Sequence, residues 1–146
     1  TIPSYNVYSI LRAITAMEEH DSRQRQALLA LLRSSSDHLS ADEVYEEMKK
    51  TMPHISKGTV YRNLRSLRQK GLISALDLVG TLTRFEGRLD PHYHFLCERC
   101  GRVFDLDVPV DPELDRRVEQ HTGCTVTGHH LEFHGLCARC RCTQPG

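Results

Sequence analysis

The architecture of the N-terminal half follows from one stretch, residues 56–71, which read SKGTVYRNLRSLRQKG. Ser56 is a good N-cap and Gly71 is a typical residue just past a helix end, so the stretch predicts a helix over residues 57–70. That helix has an apolar face at helical spacing, formed by Val60, Leu64 and Leu67. Between 57 and 70 there are basic residues and no acidic one, a pattern typical of a surface that binds a polyanion. An ordinary solvated helix face is the alternative.

The residues on either side of this basic helix predict a winged helix. Upstream, Ser40 and Glu43 form a capping box that opens a helix running to about residue 50. A helix, a short turn and a basic helix make up the helix-turn-helix arrangement. Downstream, residues 72–78 and 81–86 are β-rich runs separated by Gly80, which predicts a hairpin.

Two further helices are expected before the helix-turn-helix. Residues 5–18 carry apolar side chains at helical spacing, and Asp21 or Ser22 is a candidate cap for a second helix ending at Arg33.

Exposed positions of the basic helix supply candidate DNA contacts. Ser56 and Thr59, near its N-terminus, are suited to hydrogen bonds with phosphate. Tyr61 is suited to contact with a thymine methyl group, and Arg62 to guanine or phosphate. Arg65 is a candidate phosphate contact. For Tyr61, a place in the core is the alternative.

The second half of the chain contains two Cys-x-x-Cys pairs, Cys97 with Cys100 and Cys137 with Cys140. Four thiolates in two close pairs match the tetrahedral shell of a structural zinc ion. Two disulfides or unliganded core thiols are the alternatives. The pattern between and around the pairs predicts strands over 92–97, 102–106 and 125–134 and a helix over 112–122.

A second candidate metal set mixes imidazoles with carboxylates. His92 and His94 are two apart in a predicted strand, so both side chains lie on one face. Glu86 ends the preceding strand, Asp105 lies in the following one, and His38 comes from the N-terminal half. Nitrogen and oxygen ligands of this kind suit Fe²⁺, Mn²⁺ or Zn²⁺. Ordinary surface or core histidines are the alternative.

Composition restricts the class of protein. The 146 residues suffice for one domain or two small ones, and the two halves are expected to be residues 1–88 and 89–146. The first has 13 basic and 10 acidic residues, and the second has 6 and 9, so a net charge of zero hides a +3 and a −3 half. No apolar run predicts a membrane span and no secretory signal is visible. Six cysteines in such a chain predict metal binding in the reducing cytoplasm.

An ordered set of motifs resembles the ferric uptake regulator family over roughly residues 8–142. The motifs are GTVYRNL at 58–64, RFE at 84–86, HYHFLCERCG at 92–101 and HHLEFHGLCARC at 129–140. The resemblance implies an α+β protein, with a winged-helix DNA-binding domain followed by a small α/β dimerisation domain that carries a four-cysteine zinc site. It also implies a metal-dependent repressor, not an enzyme, that binds an inverted-repeat operator in double-stranded DNA as a homodimer.

The resemblance also assigns roles to the two metal sets. Cys97, Cys100, Cys137 and Cys140 match the ligands of one structural Zn²⁺ per subunit. His38, Glu86, His92, His94 and Asp105 match a regulatory site for one Fe²⁺ or Mn²⁺ per subunit.

Two branches of the family fit the motifs. Residues 91–94, PHYH, resemble the peroxide-responsive repressors, in which a ligating histidine is oxidised, here at the positions of His38 or His92. Glu86 is more typical of iron-uptake regulators, since peroxide sensors usually have Asp at that place.

Two other classes are possible from the residues alone. A metal hydrolase would use His92, His94 and a carboxylate, and a zinc-ribbon interaction module would not contact DNA. Cys124 is expected to be a small core residue, and Cys142 an exposed thiol. The group of His129, His130, Glu132 and His134 predicts a polar strand face or an accessory metal site.

Overall fold

The structure is a computed structural model that describes residues 7–77 and 82–143. In chain order, the helices are α1 (Val7–Ser34), α2 (Ala41–Thr51), α3 (Lys57–Gln69), α4 (Pro112–Thr122) and α5 (Ala138–Cys142). The strands are β1 (Leu39–Ser40), β2 (Ser74–Leu76), β3 (Arg84–Glu86), β4 (Tyr93–Cys97), β5 (Val103–Leu106) and β6 (Glu132–Gly135). The fold is α+β, as the sequence predicts.

The core of the N-terminal half forms where α1, α2 and α3 meet. The predicted apolar face of α3 is fully inside, since Val60, Leu64 and Leu67 are at most 3% exposed. Leu28 of α1 and Val44 of α2 complete the same cluster with no exposed surface. Burying each of these side chains favours folding by about 1.5–3 kcal/mol, so the apolar face fixes which side of α3 points outward.

The caps of α2 and α3 are those expected. The Ser40 side chain accepts a hydrogen bond from the Glu43 backbone N–H, and Glu43 accepts one from the Ser40 backbone N–H, which confirms the capping box. Ser56 caps α3, and Gly71 follows its end with a φ of 68°, in the left-handed region that glycine tolerates.

The first part of the chain differs from the prediction, because α1 is one helix where two were expected. Neither Asp21 nor Ser22 interrupts the helix from Val7 to Ser34. The region around them contains no Pro or Gly, and a capping residue without a helix breaker does not end a helix. Residues 5 and 6 lie outside the described residues. No helix within 7–77 or 82–143, α1 included, is long and apolar enough to cross a membrane.

The wing is a three-stranded sheet in the order β1-β3-β2, and all its pairs are antiparallel. The predicted hairpin pairing is present, with Ala75 opposite Phe85. On the other side of β3, Leu39 lies opposite Phe85, so β1 adds a strand that the sequence did not predict. Strand β1 has only two residues, which are too few to show the alternation of apolar and polar side chains by which a strand is predicted. The predicted turn at Gly80 lies outside the described residues.

The sheet of the C-terminal half has the order β5-β4-β6. Strand β4 pairs antiparallel with β5 and parallel with β6. The expected strand over 125–134 is wrong for most of its length, since only residues 132–135 pair with β4. The chain before β6 instead contacts α4, where the Val126 backbone N–H donates to the Glu119 side chain. The predicted α4 is confirmed, with Asp111 as its N-cap and Gly123 at its end.

The buried apolar residues of this half are few. Leu96 and Val103 form one small cluster, and the thiols of Cys97, Cys137 and Cys140 form another. Cys124 is exposed, so its expected place in the core is wrong, whereas Cys142 is exposed as predicted. A half with so little apolar core gains from a metal that crosslinks it. The boundary between residues 88 and 89 stays a prediction.

Residues 37–40, called here the junction segment, connect the two sheets. Its second half is β1, which pairs with β3 of the wing. Its first half lies along β5, where the His38 backbone N–H donates to the Val103 carbonyl oxygen over 3.1 Å and Asp37 pairs with Phe104. The segment therefore places a side chain of the N-terminal half against the C-terminal sheet.

Candidate metal centres and DNA-binding surface

The junction segment brings together the five residues of the mixed set, called here the His/carboxylate site. One ligand atom from each residue lies within 4.8 Å of those of the other four. These residues are spread from position 38 to position 105, so the fold and not their order in the sequence brings them together. The members are His38, Glu86, His92, His94 and Asp105. His38 comes from the junction segment, Glu86 from the end of β3, His94 from β4 and Asp105 from β5. The site thus collects side chains from both sheets.

Two carboxylates lie at the centre of the three imidazoles. Oε2 of Glu86 is 3.0 Å from Nε2 of His92 and 3.3 Å from Nε2 of His94. Oδ1 of Asp105 is 2.6 Å from Nε2 of His38 and 3.1 Å from Nε2 of His92. His38, Glu86 and His94 are between 5% and 7% exposed, whereas the side chain of Asp105 is 30% exposed, so most but not all of the cluster is closed to solvent.

The imidazole of His92 is oriented by a residue that the sequence did not single out. Its Nδ1 lies 2.6 Å from the carbonyl oxygen of Asp90, which can only accept a hydrogen bond. Nδ1 therefore carries the proton, and the lone pair of Nε2 faces Glu86 and Asp105. Oriented imidazoles of this kind are usual at metal centres, where the second nitrogen is held by a carbonyl or carboxylate.

Arg88 holds the other side of Asp105. Its guanidinium contacts Oδ2 of Asp105 at 3.4 Å and is itself paired with Asp90 at 2.6 Å. Arg88 thus leaves Oδ1 of Asp105 directed at the imidazoles. The only sign of this role in the sequence was that Arg88 lies two positions after Glu86, and nothing distinguished it from other surface arginines.

The position of Glu86 also depends on a close approach of two backbones. Gly87 packs against the end of α1 so tightly that a Cβ there would lie 2.9 Å from the backbone nitrogen of Arg33. A larger residue would push β3 away from α1, and Glu86 would move with it.

The electrostatics of the cluster favour the protonation state that a metal needs. Burial lowers the pKa of His38 below its ordinary value of 6.5, in spite of the nearby carboxylates. Burial acts to raise the pKa of Glu86 and Asp105, but hydrogen bonds from His94 and His38 and the neighbouring imidazoles hold both pKa values below their usual range. The site therefore presents a neutral imidazole beside ionised carboxylates at neutral pH.

The donor set fits a divalent transition metal. Three imidazoles and two carboxylates are the ligands of Fe²⁺, Mn²⁺ or Zn²⁺, and no soft thiolate is present among them. Nδ1 of His38 is buried and makes no hydrogen bond, although Oε2 of Glu86 lies 3.3 Å from it. The buried carboxylate of Glu86, the partly exposed carboxylate of Asp105 and this imidazole nitrogen are groups that a cation in the cluster would satisfy.

The four cysteines also meet at one point. The sulfur atoms of Cys97, Cys100, Cys137 and Cys140 all lie within 4.8 Å of one another, and none is in a disulfide. Cys137 donates its backbone N–H to the sulfur of Cys97 over 3.4 Å, and the sulfurs of Cys100 and Cys137 are 4.0 Å apart. Because the four cysteines are free, the arrangement does not support the disulfide alternative. The geometry suits a tetrahedral ion.

The thiols cannot all ionise unaided. Backbone N–H groups, chiefly those of Cys100 and Cys137, lower the pKa of Cys97 to about 6. Burial and the neighbouring sulfurs raise the pKa of Cys140 to about 12. One thiolate thus forms readily while another is suppressed, and a divalent cation is the group that would allow four thiolates to coexist.

Helix α3 presents the predicted DNA-contact residues on its outer face. Tyr61 is 51% exposed, so the core alternative for its ring is wrong. Its hydroxyl donates to Asp42 of α2 over 3.2 Å, which holds the ring upright on the surface. Arg62 and Arg65 are exposed.

The two small residues at the start of α3 are engaged with each other. Ser56 accepts the Thr59 backbone N–H as the cap, and the two hydroxyl oxygens are 2.9 Å apart. Arg62 donates to the Thr59 hydroxyl over 3.2 Å. This network orients Arg62 at the helix N-terminus, and it leaves the role of Ser56 in contacting phosphate a prediction.

The histidines near the C-terminus do not share one strand face. His129 lies before β6, and its ring connects the hydroxyl of Tyr93, 2.9 Å away, with Asp115 of α4, 2.6 Å away. His134 lies within β6 beside Glu132, at 3.6 Å. His129 is thus a structural link between β4 and α4.

Comparison with known proteins identifies the class to which this fold and these sites belong. The model of the ferric uptake regulator family matches residues 7–134, and the chain belongs to that family. Over 118 residues it is 37% identical to the peroxide-responsive repressor PerR of Staphylococcus aureus, which covers 81% of this chain and 80% of the relative.

Solved structures show the same fold. The peroxide stress regulator of Campylobacter jejuni is 29% identical, with a TM-score of 0.72 over 89% of this chain and 98% of that chain. The ferric uptake regulator of Francisella tularensis, solved with iron, is 25% identical, with a TM-score of 0.69 over 81% of this chain and 91% of that chain. The mixed helix and sheet fold of the chain is therefore that of this family.

Proposed function

We propose that the protein is a transcriptional repressor whose DNA binding is switched on by Fe²⁺ or Mn²⁺ in the His/carboxylate site. The observation that carries the proposal is that His38 joins this site from the DNA-binding half, while Asp105 and His94 come from the other half. A cation that binds all of them favours one angle between the halves. Metal thereby shifts the population toward the conformation that fits DNA.

DNA binding is assigned to the exposed face of α3, with Tyr61, Arg62 and Arg65 as contacts. The expected partner is a second copy of this chain, and a two-fold dimer reads an inverted-repeat operator in double-stranded DNA. The four-cysteine site would hold one structural Zn²⁺ per subunit and keep the C-terminal half folded. The family membership and the relatives described above support this assignment.

A duplex selected from random inverted repeats in the presence of Mn²⁺ gives the test. Its affinity for the wild-type protein, measured by fluorescence anisotropy, should fall when Mn²⁺ is withdrawn. A His38→Ala variant should bind weakly with or without Mn²⁺. DNA affinity that is the same in all four conditions would contradict the proposal.

We further propose that the signal is peroxide. The five residues of the His/carboxylate site would hold Fe²⁺, which would activate hydrogen peroxide. One peroxide oxygen would be transferred to a ring carbon of an imidazole ligand, and the other would leave as water. His38 and His92 are the positions that the resemblance to the peroxide-responsive branch implies. Both imidazoles also lie close to Oδ1 of Asp105, at 2.6 and 3.1 Å. Oxidation of either imidazole removes a ligand and releases the repressor from DNA.

Mass spectrometry of peptides tests this directly. After brief peroxide treatment of the iron-loaded protein, the peptide with His38 or His92 should gain the mass of one oxygen atom. Protein loaded with Mn²⁺ and treated in the same way is the control and should gain none. Unmodified histidines in the iron form would favour the second candidate, a regulator that uses Fe²⁺ as co-repressor.

One residue favours that second candidate. Glu86 stands where a shorter Asp is usual in peroxide sensors, and its carboxylate lies between His92 and His94 at 3.0 and 3.3 Å. A Glu86→Asp variant that oxidises faster than the wild type would show that the longer carboxylate protects the iron form.

A hydrolytic role is not proposed. The family model that matches is that of a regulator, and the relatives described above are named as a repressor or as regulators.

A further inference from the structure

A cleft of about 220 Å³ lies beside the His/carboxylate site, where the two halves of the chain face each other. Its walls include Asp37 and Leu39 of the junction segment and Gly101 and Arg102 of the C-terminal half. His38 and Cys100 also line the cleft, but the ion pair and the hydrogen bonds that cross it, described below, use no side chain of a candidate metal ligand. They are therefore able to hold the two halves together before a cation binds.

The shortest of these contacts is an ion pair between Asp37 and Arg102. Nε of Arg102 is 2.7 Å from Oδ1 of Asp37, and both side chains are 40% exposed. The guanidinium also lies 5.0 Å from the centre of the Phe104 ring. The backbone of Asp37 is fixed by two hydrogen bonds with the Ser35 hydroxyl, at 2.7 and 3.3 Å. Because the Asp37 backbone and the Arg102 guanidinium have these further contacts, pairing costs less conformational entropy than it would for two unrestrained surface side chains.

The pair lies next to the backbone contact that positions His38. Asp37 precedes His38, and Arg102 precedes Val103, whose carbonyl oxygen accepts the His38 N–H. Arg84 adds a second contact between the halves, donating to the Gly101 carbonyl oxygen over 3.3 Å. Separating Asp37 from Arg102 would therefore free the segment that presents the His38 imidazole to Asp105.

We propose that the Asp37–Arg102 pair is a metal-independent latch, which keeps part of the metal-free population in the conformation that can bind metal. The inference rests on the proposed function of the His/carboxylate site. Apparent metal affinity is the intrinsic affinity reduced by the fraction of competent molecules, so weakening the latch weakens metal binding. Asp37 and Arg102 are positioning residues and do not contact the cation.

The sign of the change in cation affinity distinguishes the latch from a simple electrostatic effect. Removing the positive charge of Arg102 from the neighbourhood of a cation site should, by Coulomb's law alone, strengthen cation binding. The latch predicts the opposite sign. For Asp37 both effects act in the same direction, so Arg102 is the more informative residue.

The experiment is a Mn²⁺ titration of the full chain without DNA, after zinc content and the unfolding midpoint have been checked. Arg102→Gln and Asp37→Asn should each lower Mn²⁺ affinity by about two- to fivefold, and the double variant should be no weaker than the weaker single variant. Arg116→Gln is the matched control, because Arg116 forms an exposed ion pair with Glu113 within α4. It should leave the affinity unchanged.

Two outcomes overturn the inference in different ways. Affinity that depends on His38 but is equal or higher in Arg102→Gln overturns the latch alone. Affinity that is identical in wild type and His38→Ala overturns the proposed metal site, and the latch with it.

Discussion

Nε2 of His38 lies 2.6 Å from Oδ1 of Asp105, although the two residues are 67 positions apart in the chain. The contact links the junction segment to β5 and sits within a site that is otherwise buried. Burial keeps His38 neutral by lowering its pKa, and the Asp105 carboxylate remains ionised because its own pKa is lowered. A pair in this state is ready to bind a cation without first losing a proton.

Asp105→Asn should therefore weaken Mn²⁺ binding by at least about tenfold, since a neutral amide replaces an ionised ligand. Isothermal titration calorimetry of the zinc-containing protein measures the change. Asp107→Asn removes the same charge at an exposed neighbouring position and should have little effect. Equal losses in the two variants would show that Asp105 acts only through long-range charge.

Cys97→Ser should remove the structural zinc. Cys97 has no exposed surface, and its sulfur accepts the Cys137 backbone N–H, so it is central to the cluster. Metal analysis of the purified variant should find no zinc, and gel filtration should show loss of the dimer.

Cys142→Ser is the matched control, because Cys142 is an exposed thiol two residues beyond the cluster. It should keep one zinc per chain. Full zinc content in Cys97→Ser would disprove the structural role of the four thiols.

The sequence predicted those elements that carry their own local signals. The capping box at Ser40, the cap at Ser56 and the glycine after α3 are short-range features, and each is confirmed. The two Cys-x-x-Cys pairs likewise announce a shared site. The prediction failed in α1 because no helix breaker accompanies the candidate caps. It failed in the segment before β6 because that segment contacts α4 through Glu119 instead of forming a strand.

The candidate metal site shows the same division. Its five candidate ligands could be chosen from residue type and from the family motifs, but the residues that orient these ligands could not. Asp90 orients His92 through its backbone carbonyl, which every residue type has. In the sequence, Arg88 and Arg102 look like ordinary surface arginines, and only the fold places them beside Asp105 and Asp37. A contact between the two halves of a chain produces no periodic pattern of apolar residues in either half, so the sequence pattern cannot predict it.

Arg65→Ala should weaken DNA binding nearly uniformly across sequences, because Arg65 lies exposed on α3 and is expected to contact phosphate. The plot of log affinity against log salt concentration should lose about one unit of slope for each contact removed, or about two in a dimer. Anisotropy over a series of salt concentrations measures it. Arg116→Ala, on α4, should keep the wild-type slope, and an unchanged slope for Arg65→Ala would refute the contact.

Acid should destabilise the protein when the His/carboxylate site is free of metal. The pKa of His38 in the folded state is below 6.5, so the unfolded chain takes up its proton first, and stability begins to fall as pH drops below that value. Glu86 and Asp105, with folded pKa values below 4.5 and 3.8, act in the same direction at lower pH. Urea unfolding at a series of pH values measures the trend, with zinc content verified at each.

The His38→Asn variant is the comparison for that series. It should lose the part of the decline that begins near pH 6.5. The part at lower pH should become smaller, because His38 no longer donates to Asp105, but it should persist, because His94 still holds the pKa of Glu86 low. A wild-type protein whose stability rises on acidification through this range would contradict the protonation states assigned to the site.

The measurement that tests the coupling of metal to DNA most directly is the Mn²⁺ affinity of the protein, free and bound to its selected duplex. Because linkage is reciprocal, DNA must strengthen Mn²⁺ binding by the same factor by which Mn²⁺ strengthens DNA binding. We predict equal factors above one in the wild type and a factor near one in His38→Ala. Identical Mn²⁺ affinities with and without DNA in the wild type would contradict the account.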